Sequence, residues 1–415
     1  MLLLRSLLMG LLPSLLCAAT PQEEIAAQVP AARAILDGWQ AKDPVKADRR
    51  LHIVYWTPAD RDPPPRYRER LSSIMRDIRK FYGSEMERLG FGFRTFTLDE
   101  AADGLLKIHV VTGAEPYAHY DVPSGDEIRK ECLRVLKKEG LNADEETIVL
   151  FCNMSNWDPE KRTISQNSPY YAYGTNRWGT AWQVDSPILD LESLSQKEPR
   201  VLDGQYGNIS IGRYNSIFIG GIAHELSHAF GYPHNVERAD EGAAFGTALM
   251  GSGNRTYGEN LRGEGKGSFL NLAHALQLAS HPLFCGSIKG WENKPTARPS
   301  GLSVRAEGKT IIVSGKVTGD TDVPVYAVQA YFDPEGGSDY DAPTVSAVPC
   351  QDGGFILTGT DFTAGKGGEL RLFFLQADGL ASGFVGSTPY RYPYTVAADG
   401  TPEVEDITEK RTRTD

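Results

Sequence analysis

The pattern of apolar and polar positions divides the chain into two parts. In the first part, helical spacing over Tyr67–Leu89 and Asp126–Lys138 alternates with short apolar runs at Leu51–Thr57 and Thr147–Cys152, which predict strands. The order of strands and helices predicts a mixed α/β sheet with helices packed on it. The other elements predicted here are the strands Phe91–Leu98 and Leu105–Val111 and the helices Glu23–Gln40, Ser216–Phe230 and Phe269–Ser280.

After Leu302 the pattern changes to alternation with a period of two. Short apolar runs are separated by turns with Gly, Asp or Pro at roughly ten-residue spacing, which is typical of strands. The spacing predicts an all-β sandwich of about 100 residues, of the immunoglobulin or fibronectin kind. The runs are Leu302–Ala306, Thr310–Ser314, Val325–Phe332, Phe355–Gly359, Glu369–Gln376 and Gly383–Gly386.

The start of the chain differs from both parts. Arg5 precedes an apolar stretch, Leu7–Leu16, which ends in Cys17 and two alanines; this indicates a secretory signal peptide cleaved after Ala19. A lipid anchor is disfavoured because Leu16, and not a small residue, precedes Cys17. No later stretch reaches the roughly 18 apolar residues of a membrane span. We therefore expect a secreted, periplasmic or cell-surface protein without a transmembrane anchor.

These observations predict an order of segments along the chain. The predicted segments are a signal peptide (1–19), an N-terminal helical and linker segment (20–50), the α/β domain (51–285), a linker (286–300), the β-sandwich (301–397) and a disordered charged tail (398–415).

Composition narrows the class of protein. The formal net charge of −11, from 43 basic and 54 acidic residues, argues against a general nucleic-acid binder. Four cysteines remain after removal of the signal peptide, and sequence leaves open whether they are buried thiols or form one or two disulfides. We expect a monomer. The four cysteines are Cys132, Cys152, Cys285 and Cys350.

The segment His224–His234 has the pattern H-E-x-x-H-x-x-G-x-x-H. On a helix, His224 and His228 lie on one face a turn apart, so both imidazoles can reach one metal ion at about 2.0–2.1 Å. Gly231 permits a positive φ, and the resulting turn brings His234 back as a third ligand. Three protein ligands leave one position open, which is the arrangement of catalytic zinc.

Glu225 follows the first histidine but is rotated from it around the helix. It can therefore contact a water molecule without becoming a ligand, and we assign it as the general base and acid of a hydrolysis. The chain has only eight histidines, so composition alone produces the five-position pattern in roughly one such chain in tens of thousands. Ordinary core or surface histidines are therefore a poor explanation.

The motif resembles that of the metzincin clan of zinc endopeptidases, in which a tight turn containing methionine lies under the metal. Thr247–Ser252 is similar to this Met-turn, with Met250 sixteen residues beyond His234. The resemblance covers about residues 50–283. It implies an α+β (α/β) catalytic domain with a mixed twisted sheet, an active-site helix and one catalytic Zn²⁺.

Two further positions bear on this resemblance. Some metzincins stabilise the oxyanion with a tyrosine shortly after the Met-turn, and Tyr257 is the candidate here, although its spacing is longer and a packing role is the alternative. Asn235 follows the third histidine, where the better-known subfamilies have other residues. The subfamily therefore stays open.

The resemblance also implies how a substrate binds. In metzincins the interval before the active-site helix holds the edge strand that pairs with an extended peptide, and Gly179–Val184 is the candidate. Five aromatic residues between Tyr170 and Trp182 suit sugar rings as well as peptide, or else fill a loop-rich region. The candidate substrate-binding residues are Tyr173, Trp178, Gly179, Thr180, Ala181 and Trp182.

The assembly of segments resembles secreted bacterial metzincins that cut mucin-type O-glycoproteins beside a glycosylated Ser or Thr. The resemblance implies a glycoprotein substrate and a glycan contact. One alternative is a general or processing endopeptidase without a glycan requirement; another is a glycan-binding surface protein with a structural zinc site. In the sandwich, Tyr390, Tyr392 and Tyr394 either bind glycan or pack into the core.

Overall fold

The computed structural model describes residues 19–319, 322–337, 340–383, 390–405 and 407–408. The predicted signal peptide, apart from Ala19, lies outside the described residues. Among the described helices, none combines the length and apolar character needed to cross a bilayer. The helices and strands before the C-terminal half are α1 (Pro21–Ala41), β1 (Leu51–Thr57), α2 (Tyr67–Arg88), β2 (Ile108–Thr112), α3 (Gly125–Lys138), β3 (Thr147–Cys152), β4 (Ser155–Asp158), β5 (Thr163–Gln166), β6 (Tyr171–Gly174), β7 (Gly179–Val184), β8 (Arg200–Asp203), β9 (Gly207–Ser210), α4 (Ile211–Ala229), α5 (Ala239–Phe245), β10 (Thr247–Ala248), β11 (Ser268–Phe269), α6 (Leu272–Ser280) and α7 (Pro282–Cys285).

A five-stranded sheet in the order β2-β1-β3-β7-β6 forms the centre of the first part. Its first four strands are parallel and β6 runs antiparallel at the edge. Every residue of β3 and of β7 is buried, as expected for parallel strands with helices on both faces. Trp182 of β7 packs with Ile128 of α3 on one face, while Ala181 packs in the cluster that holds α2 and α4 on the other. The prediction of a mixed α/β sheet is confirmed.

The C-terminal half is rich in β-structure. One sheet has the order β16-β13-β12-β21 and the other β15-β14-β17-β19-β20, with antiparallel pairing throughout. Val304 and Ile311 of the first sheet and Val328 and Leu372 of the second share a buried cluster, so the sheets pack face to face. The strands are β12 (Arg298–Glu307), β13 (Thr310–Thr318), β14 (Val325–Pro334), β15 (Thr344–Ala347), β16 (Gly354–Gly359), β17 (Gly368–Gln376), β18 (Ala381–Ser382), β19 (Arg391–Val396), β20 (Pro402–Val404) and β21 (Ile407–Thr408).

The two halves share one hydrophobic core. Leu36 of α1, Ile222 of α4, and Tyr326 and Phe373 of the C-terminal half are buried in the same cluster. Buried hydrogen bonds cross the same seam: Gln277 Nε2 donates to Gln329 Oε1 at 2.7 Å, and the Tyr326 hydroxyl donates to the Leu276 carbonyl at 2.7 Å. The C-terminal half is therefore fixed to the α/β part, and α1 packs on both.

Three predicted features differ in the structure. Phe91–Leu98 is not a strand: Gly92 has φ of +77°, and Phe91 and Phe96 are buried in the core whereas Phe93 between them is half exposed. Residues 155–215 show no clear apolar period and are expected to be loop-rich, but they include a small sheet, β4-β5-β8-β9, whose strands have only four residues each. The predicted disordered tail contributes β20 and β21 to the two sheets; residues 406 and 409–415 lie outside the described residues.

Side chains that sequence left undecided have defined places. The four cysteines Cys132, Cys152, Cys285 and Cys350 are free thiols. Tyr394 is buried in the sandwich core, and Tyr390 and Tyr392 pack against it in part. This arrangement favours packing over glycan binding for the three tyrosines. The predicted strand Gly383–Gly386 lies outside the described residues except for Gly383, and β18 precedes it.

Candidate metal centre

The active-site candidate is built on α4. Its N-cap, Ser210, accepts a hydrogen bond from the Arg213 backbone N–H, which fixes the start of the helix. His224 and His228 lie one turn apart, with ring centroids 5.0 Å from each other. The helix ends at Ala229, five residues before the third histidine.

Gly231 makes the turn that the motif requires. Its φ is +91°, which a side chain would disfavour, and the Tyr232 N–H donates back to the Ser227 carbonyl at 3.1 Å. The turn places His234 Nε2 2.9 Å from His228 Nε2. One ligand atom from each of the three histidines falls within 4.8 Å of the others, as the sequence predicted.

The outer nitrogens of two imidazoles are held by carbonyl oxygens. His224 Nδ1 lies 2.8 Å from the Leu249 carbonyl, and His228 Nδ1 lies 2.7 Å from the Tyr232 carbonyl. A proton on each Nδ1 leaves the Nε2 lone pair directed at the cluster, which is how metal-ligating histidines are held. His224 Nε2 is buried without a hydrogen-bond partner among the described residues, and burial lowers the pKa of His224. The donor set fits a zinc ion.

Glu225 lies beside the cluster and is buried. Burial raises the pKa of its carboxyl to about 8. The hydroxyl of Tyr170 lies close to the same helix face: a Cβ built on Gly221 would come within 1.4 Å of it, and Gly221 is one turn before Glu225. This hydroxyl is buried and has no partner in the described part of the chain.

Sequence reasoning placed Tyr170 among the aromatic residues but not beside the catalytic candidate. The signal that could have found it is Gly221, because a glycine inside a buried helix marks the close approach of another group. Burial raises the pKa of the Tyr170 phenol, and the nearby Glu225 carboxylate raises it further. The phenol therefore stays protonated next to Glu225.

Met250 and its neighbours contact residues of the histidine motif. Met250 is fully buried, and its carbonyl accepts a hydrogen bond from the Asn235 N–H at 3.2 Å. Because Leu249 also accepts from His224, this turn contacts both the first histidine and the residue after the third. The Asn235 side-chain amide is itself buried and lacks a partner among the described residues.

Of the two roles that sequence left open for Tyr257, the structure favours packing. Its side chain is only 5% exposed, its ring packs at 5.4 Å from that of Phe81, and its hydroxyl donates to Asp77 Oδ2 at 2.6 Å. A phenol that is committed to a carboxylate on α2 is not available to an oxyanion. The packing alternative describes Tyr257.

The candidate edge strand also needs correction. β7 pairs with β3 on one side and β6 on the other, so it is an interior strand, and β6 is the edge strand on this side of the described sheet. The carbonyl oxygen of Ala229, at the end of α4, lies against both strands. A Cβ built on Gly174 of β6 would come within 2.0 Å of it, and one built on Gly179 of β7 within 1.9 Å. The exposed edge of β6 therefore lies next to the helix that carries the histidines.

The candidate substrate residues are distributed over both faces of the sheet. Thr180 and Trp182 point to α3, where Thr180 Oγ1 accepts from Arg129 Nε and Trp182 Nε1 donates to the Gly125 carbonyl. Tyr173 is 40% exposed on β6 and its ring packs 5.8 Å from Trp178. Gly179 and Ala181 are buried. Of the six residues, Tyr173 on the edge strand has the most exposed side chain.

Comparison with known proteins gives one informative likeness. No protein-family model matches the chain, and no curated protein sequence matches it. Among solved structures, the chain is similar to wild-type OgpA from Akkermansia muciniphila, with 27% identity and a TM-score of 0.68 over 87% of this chain and 96% of that one. It is likewise similar to catalytically inactive OgpA in complex with an O-glycopeptide substrate, glycodrosocin, with 26% identity and a TM-score of 0.69 over 88% of this chain and 96% of that one.

Proposed function

We propose that this chain is a secreted zinc endopeptidase that hydrolyses peptide bonds in O-glycosylated, mucin-type proteins. The observation that carries the proposal is the convergence of His224, His228 and His234, with the buried Glu225 next to the first of them on α4. The likeness to OgpA, a protein crystallised with an O-glycopeptide, extends over nearly all of both chains and supports the substrate class.

The division of labour follows from the donor set. The three histidines would hold the metal through Nε2, and zinc, when bound, supplies Lewis acidity for a carbonyl and for water. Glu225 accepts the proton of the attacking water and delivers it to the leaving amine. Its burial excludes bulk water that would compete for that proton.

The H-E-x-x-H-x-x-G-x-x-H motif, the buried turn at Met250 and the antiparallel edge strand support membership of the metzincin clan. We propose that an extended peptide pairs with the exposed edge of β6, where backbone hydrogen bonds give affinity without sequence preference. The glycan requirement then supplies the selectivity that backbone pairing lacks.

The substrate class is tested with one mucin-type glycoprotein in three forms: intact, treated with sialidase, and stripped of O-glycans. The zinc-loaded protein should cut one of the glycosylated forms and leave the stripped polypeptide intact. Equal cleavage of the stripped polypeptide would identify a general endopeptidase. Binding to the glycoprotein without cleavage of any form would identify a glycan-binding protein with a structural zinc site.

A further inference from the structure

A loop of the C-terminal half reaches the histidine cluster. Tyr340, between β14 and β15, stacks on His234 with ring centroids 3.5 Å apart and an interplanar angle of 29°. Its ring is also nearly parallel to that of His224, at 6.0 Å and 7°. Two of the three candidate ligands therefore face an aromatic ring that comes from the other half of the molecule.

The chain around Tyr340 is anchored to the segment that follows the third histidine. The Val236 N–H donates to the Ala342 carbonyl at 3.0 Å, and Val236 forms a parallel bridge with Pro343. Ala342 is fully buried in the core that the two halves share. The position of Tyr340 is thus set by the same seam that fixes the C-terminal half to the α/β part.

Tyr340 is also accessible, which separates it from the other phenols near the site. It is 46% exposed, whereas the hydroxyl of Tyr170 is buried and Tyr257 is bound to Asp77. A large aromatic side chain that packs on a ligand with one side and meets solvent with the other forms a wall of the site.

We propose that the C-terminal half is an integral part of the active site and that Tyr340 is a substrate-contacting residue at the third histidine. The identity of the substrate as a peptide rests on the proposed function. The contact itself is a matter of shape, because an exposed aromatic ring that stacks on His234 offers a surface to a peptide group bound at the histidine cluster.

The test uses a peptidyl hydroxamate, a metal-directed peptide analogue that needs neither turnover nor glycan. Its affinity is measured by calorimetry for the full-length protein at saturating zinc, with Tyr340→Ala, Tyr340→Phe and a control in the same half, Ile356→Ala. Ile356 is 69% exposed on β16 of the opposite sheet. Tyr340→Ala should weaken hydroxamate binding about tenfold, the upper range for one aromatic contact, and Ile356→Ala should leave it unchanged.

Tyr340→Phe shows whether the ring or the hydroxyl of Tyr340 makes the contact. Retained affinity assigns it to the ring, and a loss equal to that of alanine assigns it to the hydroxyl; both outcomes support a substrate contact. A zinc titration against a competing chelator accompanies the measurement, because loss of the ring should also loosen His234 and weaken zinc binding about tenfold.

Two results would overturn the proposal. The first is a hydroxamate affinity of Tyr340→Ala within twofold of wild type at saturating zinc, which would show that Tyr340 does not contact the substrate position. The same affinity with weakened zinc binding would make Tyr340 only a positioning residue for His234. Neither result depends on cleavage of a glycoprotein, so a failure of this proposal can be distinguished from a failure of the proposed function.

Discussion

Gly179→Ala tests whether the sheet sets the position of the histidine helix. A Cβ at this position would lie 1.9 Å from the Ala229 carbonyl oxygen and 2.7 Å from its carbon. A normal contact needs about 3.2 Å, so helix end and strand must separate by about 1.3 Å. Gly179 does not have a positive φ, so the substitution introduces this contact without backbone strain.

Both atoms belong to backbone, which cannot swing aside as a flexible side chain can. We therefore expect a loss of about 2–3 kcal/mol in the free energy of unfolding, the range for overpacking a buried site. Because Ala229 directly follows His228, zinc affinity should fall as well. Urea unfolding of the metal-free protein and a zinc titration give the two numbers.

The matched control is Gly38→Ala in α1, where a Cβ would meet nothing within 4 Å. This substitution should raise the free energy of unfolding by about 0.5–1 kcal/mol, because alanine loses less backbone entropy than glycine in a helix. If Gly179→Ala were as stable as the control and kept wild-type zinc affinity, the close packing of β7 on α4 would be refuted.

Three further predictions follow from single side chains. Tyr257→Phe should lower the free energy of unfolding by about 1–2 kcal/mol, since Asp77 loses its donor, and should leave kcat within twofold; a hundredfold fall in kcat would restore Tyr257 as an oxyanion residue. His228→Ala should abolish stoichiometric zinc in elemental analysis of the purified protein, and retained zinc would place the ligands elsewhere. Burial lowers the pKa of His281 to about 3, against 6.5 for an ordinary histidine, so the folded protein favours its neutral form. Because the unfolded chain takes up this proton below pH 6.5, the protein loses stability as the pH falls from 6.5. His281→Asn keeps a side chain that can cap α7. Between pH 7 and pH 5, the free energy of unfolding in urea should fall by about 2 kcal/mol less for this variant than for wild type. An identical fall in both proteins would contradict a buried neutral histidine.

The parts of the site that sequence predicted are those encoded locally. The three histidines and Glu225 lie within eleven residues, where helix geometry and one glycine turn determine their arrangement. Met250 is near enough in sequence to be found through a resemblance. Strand β3 and helix α2 were predicted for the same reason, because β3 is a continuous apolar run and α2 has helical spacing that stops just before a glycine.

The parts that sequence missed depend on contacts between distant segments. Tyr170 and Tyr340 approach the cluster from another strand connection and from the other half of the chain, and no local period encodes either contact. The mistaken edge strand has the same origin. β6 and β7 are both short and aromatic, and only the pairing of β7 with β3 shows which of them lies inside the sheet.

The shared core had no signal in composition either. The change of period near Leu302 indicated two separate domains, whereas Tyr326 and Phe373 of the C-terminal half are buried with residues of α1 and α4. Apolar residues on strands predict burial but not the partner against which they are buried. The place of the C-terminal half beside the histidine cluster therefore needed the structure.

The central claim is that Glu225 and the three histidines hydrolyse a glycosylated peptide. It is tested most directly by mass spectrometry of one synthetic peptide, with and without a single O-glycan, incubated with zinc-loaded wild type and with Glu225→Ala. Wild type alone should cleave the glycopeptide, and both proteins should bind zinc equally. Cleavage of the glycopeptide by Glu225→Ala at the wild-type rate would contradict the claim.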